Sequence, residues 1–263
     1  MDGELRKTGV TQRNGVRADA LAQKSGDRVV KARSSLPVAQ LPAVFPAVFS
    51  RVSRIIIVGA GGFGREVLQW VRDAWPEHTS RLAGFLAADH SQPNSHDCHL
   101  GIIADPDRYE PAAGDGLLLA IGIPEVRRRV AEVLQSRGAE FLTLIHPTAI
   151  VSPTASIGAG SIICPYAIVS DAASIGECVL MNYNSSLGHD ASAGDYAVLS
   201  PYASLGGNAH IEADVFMGLH ASVGPGKRIG ARSKVSANSC ALVDAPADSI
   251  IYGVPGRVGP LIH

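Results

Sequence analysis

From Ile145 onward the chain repeats every six residues without a break. Stepping by six from Ile145 to Ala241 meets an apolar residue at all seventeen positions. With 46% hydrophobic residues in the chain, chance would give such a run roughly twice in a million trials. Four places after each of these positions stands Ala, Ser or Val in sixteen of seventeen cases, Lys227 being the exception, and one place after stands Gly eight times. One large and one small apolar residue per hexad is the pattern of a parallel β-helix. The large aliphatic points into a triangular prism and the small residue fits the crowded interior. Glycine is expected to accommodate the corner dihedrals. Three sides make a coil of 18 residues, so residues 18 apart stack. The outer faces are expected to stay free for packing against copies of the chain.

Residues 54–145 have a different pattern. The β-branched run Arg54–Val58 enters Gly59-Ala60-Gly61-Gly62-Phe63-Gly64 and then a segment with Val67, Leu68, Val71 and Ala74 at helical spacing. Strand, Gly-rich turn and helix form the context in which a GxGxxG motif brings a phosphate to a helix N-terminus. Leu82–Leu86 and Leu117–Ile123 read as further strands, Val126–Arg137 as a helix and Glu140–Ile145 as a last strand. About ninety residues make only half of a dinucleotide fold. An acid after the second strand would serve a ribose, and Asp89 is the candidate. With no dehydrogenase-type catalytic domain behind it, a nucleotide-linked substrate is favoured over a redox cofactor.

Residues 1–54 hold ten Lys or Arg against four Asp or Glu, whereas the whole chain has a formal net charge of −1. This basic stretch, with a Pro-rich segment at 34–50, is expected to be a disordered extension over 1–53. Translation starting near Val52 is an alternative. The overall charge balance gives no drive toward nucleic acid or anionic membrane. No apolar run is long enough for a membrane helix. Four Cys without a CxxC pair favour a reduced, cytoplasmic protein with no metal site.

Several segments together carry a family resemblance: IIIVGAGGFGREV at 55–67, AIGIPEVRRRV at 120–130, HPTAIV at 146–151, GHD at 188–190 and GVPGRV at 253–258. They resemble the hexapeptide-repeat acyltransferases, and within them the sialic acid O-acetyltransferase and bacillosamine-type sugar N-acetyltransferase family. The resemblance implies a Rossmann-like α/β substrate domain over 54–144 and a left-handed parallel β-helix over 145–263. It also implies a homotrimer with reaction sites between prisms, acetyl-CoA as co-substrate, and a sugar or nucleotide-sugar acceptor.

Acyl transfer from a thioester needs a base, an oxyanion donor and a seat for the CoA arm. His189 stands at the third place of its hexad, where side chains face outward near a corner, and imidazole titrates near neutrality. Asp190 follows and could orient it. Gly207 lies one coil above and could offer its amide to the thioester carbonyl. The resemblance implies the same three roles. Lys227, with Arg228 beside it, breaks the small-residue rule where the phosphates of CoA would want cations, and the resemblance further implies donor contacts at Gly207, Ala237, Val254, Pro255 and Arg257. On the acceptor side it implies Gly59, Gly61, Gly62, Phe63, Gly64, Asp89, Gly122 and Arg127. Two positions depart from the family. Val198 stands where a second His is usual, which puts acyl selectivity in question. Ala87 stands where the first acid after strand two is usual, which weakens nucleotide contact.

Three readings compete. The first is an acetyl-CoA-dependent transferase modifying a sugar amine or hydroxyl, or a related enzyme with a longer acyl donor. The second is a non-catalytic trimer that binds sugar or CoA, supported by Val198. The third is a metal-dependent lyase using His189, His210 and His220.

Overall fold

The computed structural model describes residues 49–88 and 100–262. Asp89 and nearly all of the basic extension lie outside the described residues.

Five parallel strands form the N-terminal sheet: β1 (Arg54–Val58), β2 (Leu82–Leu86), β3 (Ile102–Ala104), β4 (Asp115–Leu119) and β5 (Glu140–Phe141), in the order β3-β2-β1-β4-β5. Helix α1 (Gly62–Ala74) follows β1, and helix α2 (Pro124–Ser136) follows β4. The run Ile55-Ile56-Ile57-Val58 is wholly buried because alternate side chains serve opposite faces. Ile55 and Ile57 pack with Val67, Leu68 and Val71 of α1, whereas Ile56 and Val58 pack with Val130, Ala131 and Leu134 of α2.

The expected strand over 117–123 is shifted. It starts at Asp115 and stops at Leu119, and Ala120–Ile123 becomes the loop that leads into α2. Helix α2 begins at Pro124, whose fixed φ suits a first helical turn. Strand β3 was not expected, because three residues carry too short a pattern. The expected strand 140–145 is two strands. Glu140–Phe141 closes the α/β sheet, and Leu144–Ile145 opens the next one.

From there seventeen two-residue strands, β6 (Leu144–Ile145) to β22 (Cys240–Ala241), follow at six-residue intervals and stack in parallel with partners 18 residues away. They form three faces, closed at the far end by the antiparallel pair β23 (Ser249–Tyr252) and β24 (Arg257–Pro260). This is the parallel β-helix that the hexads foretold, and it matches the left-handed form that the family resemblance implied. The interior is one column in which Ile163, Met181, Leu199, Met217 and Val235 stack with the small residues Ala167, Ala203 and Ala221.

Glycine has a different job from the expected one. The positive-φ position of each corner is the fourth place of the hexad, held by Tyr166, Ala172, Asn184, Asp190, Asn208, Asp214 and others with φ of 52–62°. Asn and Asp tolerate this region best among residues with a Cβ. The recurrent glycines sit two places earlier, and there the constraint is contact. A Cβ on Gly158 would stand 2.3 Å from the Gly176 carbonyl oxygen, and one on Gly218 would stand 2.6 Å from the Ala237 amide nitrogen. The coils are too close there for any side chain.

One outer face is not free. Ile162, Leu180 and Val198 point outward from the face that begins at Leu144, yet they are buried. They join the cluster under α1, while Cys178 and Tyr196 join the cluster under α2. The α/β layer and the prism therefore share both cores. Full burial of such aliphatics contributes about 2 kcal/mol each.

Arg127 locks this joint. Its side chain is fully buried, and it donates to the carbonyls of Leu119 (2.6 Å), Ile121 (2.9 Å) and Cys178 (2.5 Å). Burial pulls its guanidinium down to about 10, so it remains charged at neutral pH. The expected substrate contact of Arg127 is thus corrected, because its donors are spent on backbone oxygens inside the joint. Among the described residues no helix is long and apolar enough to cross a membrane.

Candidate active site

His189 and Asp190 occupy the corner between strand β13 (Ser186–Leu187) and strand β14 (Ser192–Ala193). The coil fixes their backbone. The Asp190 amide donates to the Asp171 carbonyl, and the Asn208 amide donates to the His189 carbonyl, each at 2.9 Å. With the backbone so held, the His189 side chain projects outward and is 64% exposed. Its Nδ1 lies 2.9 Å from Asp190 Oδ2. A carboxylate accepts only, so Nδ1 carries the proton and Nε2 keeps a lone pair facing out.

Gly207 lies one coil higher, and the imidazole lies across its face. A Cβ there would fall 2.5 Å from His189 Nε2 and 2.6 Å from Cε1. Any side chain would displace the ring. The Gly207 amide donates no hydrogen bond among the described residues, while its carbonyl accepts from the Gly226 amide at 2.9 Å. The corner therefore presents a base nitrogen and an unspent amide on adjacent coils.

Lys227 and Arg228 stand one further coil up, with no ion pair among the described residues. Lys227 is half-buried and Arg228 exposed. Ala237 is exposed at another corner of the prism. Val254, Pro255 and Arg257 belong to the exposed turn and second strand of the terminal hairpin. The expected donor residues thus fall into two groups, one above His189 and one at the C-terminal end.

The Gly-rich loop also divides. Gly59 has φ of +114°, and a Cβ there would strike the Ala120 carbonyl oxygen at 2.5 Å. Gly64 lets α1 press on β1, because a Cβ would stand 1.9 Å from the Gly59 oxygen. Phe63 packs edge-on against Trp70 with ring centres 5.7 Å apart. These three have structural reasons to be present. Gly61 and Gly122 have open space where a side chain would be, and Gly62 has only the far end of the Arg65 side chain within reach. Gly61 and Gly122 lie in the loops beyond the C-terminal ends of β1 and β4, and Gly62 opens α1, where parallel sheets of this kind receive ligands.

Val198 is buried against the α/β layer, on a different face from the His189 corner. In one chain its side chain serves the joint. Among the expected metal-lyase histidines, His220 stacks flat on Tyr202, with centres 4.6 Å apart, at another corner. Within the described residues no cluster of His, Cys, Asp and Glu could hold a metal ion. Sequence reasoning passed over the hydrogen bond between Ser192 and His210 beside the His189 corner, although a spacing of 18 places the two residues one above the other.

Comparison with known proteins adds to this geometry. Residues 54–134 match the PglD N-terminal domain. A UDP-N-acetylbacillosamine N-acetyltransferase of Bacillus subtilis is 50% identical over 46 residues, a match spanning 18% of this chain and 21% of that protein. PerB from Caulobacter crescentus, solved with CoA and GDP-perosamine, superposes with a TM-score of 0.70 at 26% identity, over 78% of this chain and 97% of that one. The acetyltransferase domain of PglB from Neisseria gonorrhoeae, solved with acetyl coenzyme A, gives 0.70 at 25% identity, over 78% and 98%. The resemblance to bacillosamine-type sugar acetyltransferases thus holds for both layers of the fold.

Proposed function

We propose that this protein is an acetyl-CoA-dependent sugar N-acetyltransferase, acting on the amine of a nucleotide-linked amino sugar, with His189 as general base. The observation that carries this reading is the His189 imidazole lying over Gly207 with its Nδ1 held by Asp190. The similarity to sugar acetyltransferases solved with CoA and GDP-perosamine, or with acetyl coenzyme A, supports the reaction class.

The chemistry runs as a direct transfer. His189 Nε2 takes a proton from the acceptor nitrogen as that nitrogen attacks the thioester carbonyl. Asp190 keeps the ring in the tautomer this requires and stabilises the imidazolium that forms. The Gly207 amide donates to the oxyanion of the tetrahedral intermediate. Collapse breaks the C–S bond, and the proton held on His189 passes to the departing thiolate. Lys227 and Arg228 are the cations for the phosphates of the donor, with Ala237, Val254, Pro255 and Arg257 further along it. Gly61, Gly62 and Gly122 line the acceptor side. Three chains assemble so that seams between prisms enclose the site.

The test is thiol release from acetyl-CoA with a panel of UDP- and GDP-linked amino sugars. His189→Ala should lower turnover by about two decades or more with little change in melting temperature. Near-wild-type turnover in that variant removes His189 from the mechanism.

A further inference from the structure

Two columns of side chains meet beside the His189 corner. One holds His189 and, a coil above, Gly207. The other, on the adjoining face, holds Ser192 and, a coil above, His210, in strand β17 (His210–Ile211). The same tight turn separates the columns on both coils, closed by Ala191 N–H to the Gly188 carbonyl and by Ala209 N–H to the Gly206 carbonyl. The His189 ring reaches up across Gly207, while the His210 ring reaches down to Ser192. The two imidazoles therefore share one pair of coils, whose stacking distance is about 4.8 Å.

Ser192 Oγ lies 2.7 Å from His210 Nδ1. With the hydroxyl as the donor to Nδ1, the ring proton sits on Nε2. His210 is half-buried and forms no ion pair among the described residues. Directly above it on the same face stands Arg228, exposed and likewise unpaired. An imidazole held by Ser192 and a guanidinium with no ion pair among the described residues thus rise in line beside the base, on a face where the outward residues below are Ser156, Ser174 and Ser192. Nothing in the prism needs a histidine there, since the interior is filled by Ile211 of the same strand.

We propose that His210, oriented by Ser192, is a second substrate-contacting imidazole, donating a hydrogen bond from Nε2 to the thioester group of the acyl donor. This rests on the transferase reading. The bond is made to the thioester sulfur as the C–S bond breaks and negative charge gathers there. No proton is transferred from His210, so the balance of the reaction is that of the direct transfer. Such a donor acts on a group whose charge grows in the transition state and should appear in kcat more than in KM.

The experiment uses the full chain and measures thiol release from acetyl-CoA with the nucleotide-linked amino-sugar panel, together with melting temperatures. The variants are His210→Ala, His210→Gln and Ser192→Ala, with Ser174→Ala, one coil lower on the same face, as control. His210→Ala should lower kcat about tenfold or more, with KM for acetyl-CoA changed less than about threefold. His210→Gln, which keeps an N–H donor, should recover at least half of the loss on a logarithmic scale. Ser192→Ala should fall between wild type and His210→Ala, and Ser174→Ala should match wild type. A kcat for His210→Ala within about threefold of wild type, or no recovery in His210→Gln, overturns the proposal while leaving the transferase reading intact. A wild-type protein that releases no thiol with any acceptor overturns both.

Discussion

At the scale of single residues, glycines that look alike in the sequence do different work. Gly207 has open backbone space filled by the His189 ring, whereas Gly218 faces the Ala237 backbone of the next coil. A methyl group added at Gly207 therefore pushes a mobile side chain, and one at Gly218 pushes a rigid coil. Gly207→Ala should leave the melting temperature within a few degrees of wild type and lower turnover about 100-fold, the order of loss expected from misplacing a catalytic group by an ångström. Gly218→Ala should instead lower stability by about 1–3 kcal/mol. Parallel thermal melts and thiol-release rates check the pair. Full activity in Gly207→Ala would show that the ring tolerates another position. The hexad period marks Gly218, one of the eight glycines that follow the large apolar position, whereas Gly207 stands out in the sequence only because it lies 18 residues after His189. Spacing placed Gly207 over His189, but only the structure shows that the ring itself lies where a Cβ at Gly207 would be, while a Cβ at Gly218 would meet the backbone of the next coil. Asp190 carries a similar ambiguity. It is an acid beside the base, and it also occupies the αL place that Asn and Asp fill in other hexads.

At the scale of elements, the hexad strands were legible because a period repeated seventeen times averages out every local accident. The α/β strands were legible where a run of aliphatics marked them, as in Arg54–Val58 and Leu82–Leu86. Ile102–Ala104, on the sheet edge and half-exposed, left no pattern to read. Arg127 was misassigned because its segment resembles the family's substrate-side motif, and nothing in its neighbours reveals that a carbonyl 51 residues away completes its shell. Replacing it with Met would keep its bulk and leave several buried carbonyls without a donor. Arg127→Met should cost about 3 kcal/mol in urea unfolding and should not raise KM for the acceptor selectively. A stable variant with a specific acceptor defect would restore its sequence-based role. A second element contact responds to alkali. Tyr109 donates to Asp115 Oδ2 at 2.5 Å, and burial, with the Asp115 carboxylate beside it, pushes its phenol up to about 12 from 10. A raised folded value stabilises the protonated form. That contribution is complete below pH 10 and is lost as pH rises through 12. Tyr109→Phe should flatten this part of the alkaline stability profile, followed by fluorescence-monitored unfolding at fixed pH values.

At the scale of the whole molecule, the prism spends one face on its own α/β layer and leaves the next uncovered. The first coils of the two faces present similar outward aliphatics. Ile162, Leu180 and Val198 are buried, yet Ile150 and Ile168 on the next face are 63% and 41% exposed. Tyr166, Tyr202 and Leu219 continue that apolar strip along the edge between the two faces, at 61%, 48% and 50%. Hexad grammar assigns all of these residues outward and says nothing about which chain covers them, so the internal joint could not be read from sequence. An exposed strip of this length marks an interaction surface. It lies on the face whose far edge carries His189 and on that face's near edge, so a partner seated on it would wall the candidate site. We therefore expect light scattering to give three times the 27.4 kDa chain mass. Ile168→Glu should lower that mass toward one chain, because an unpaired carboxylate in the buried seam costs several kcal/mol per subunit. Turnover should fall with it even though His189, Asp190 and Gly207 are untouched, and activity should become dependent on protein concentration. A wild-type protein that runs as a single chain at full activity would place the whole reaction within one prism and its own α/β layer.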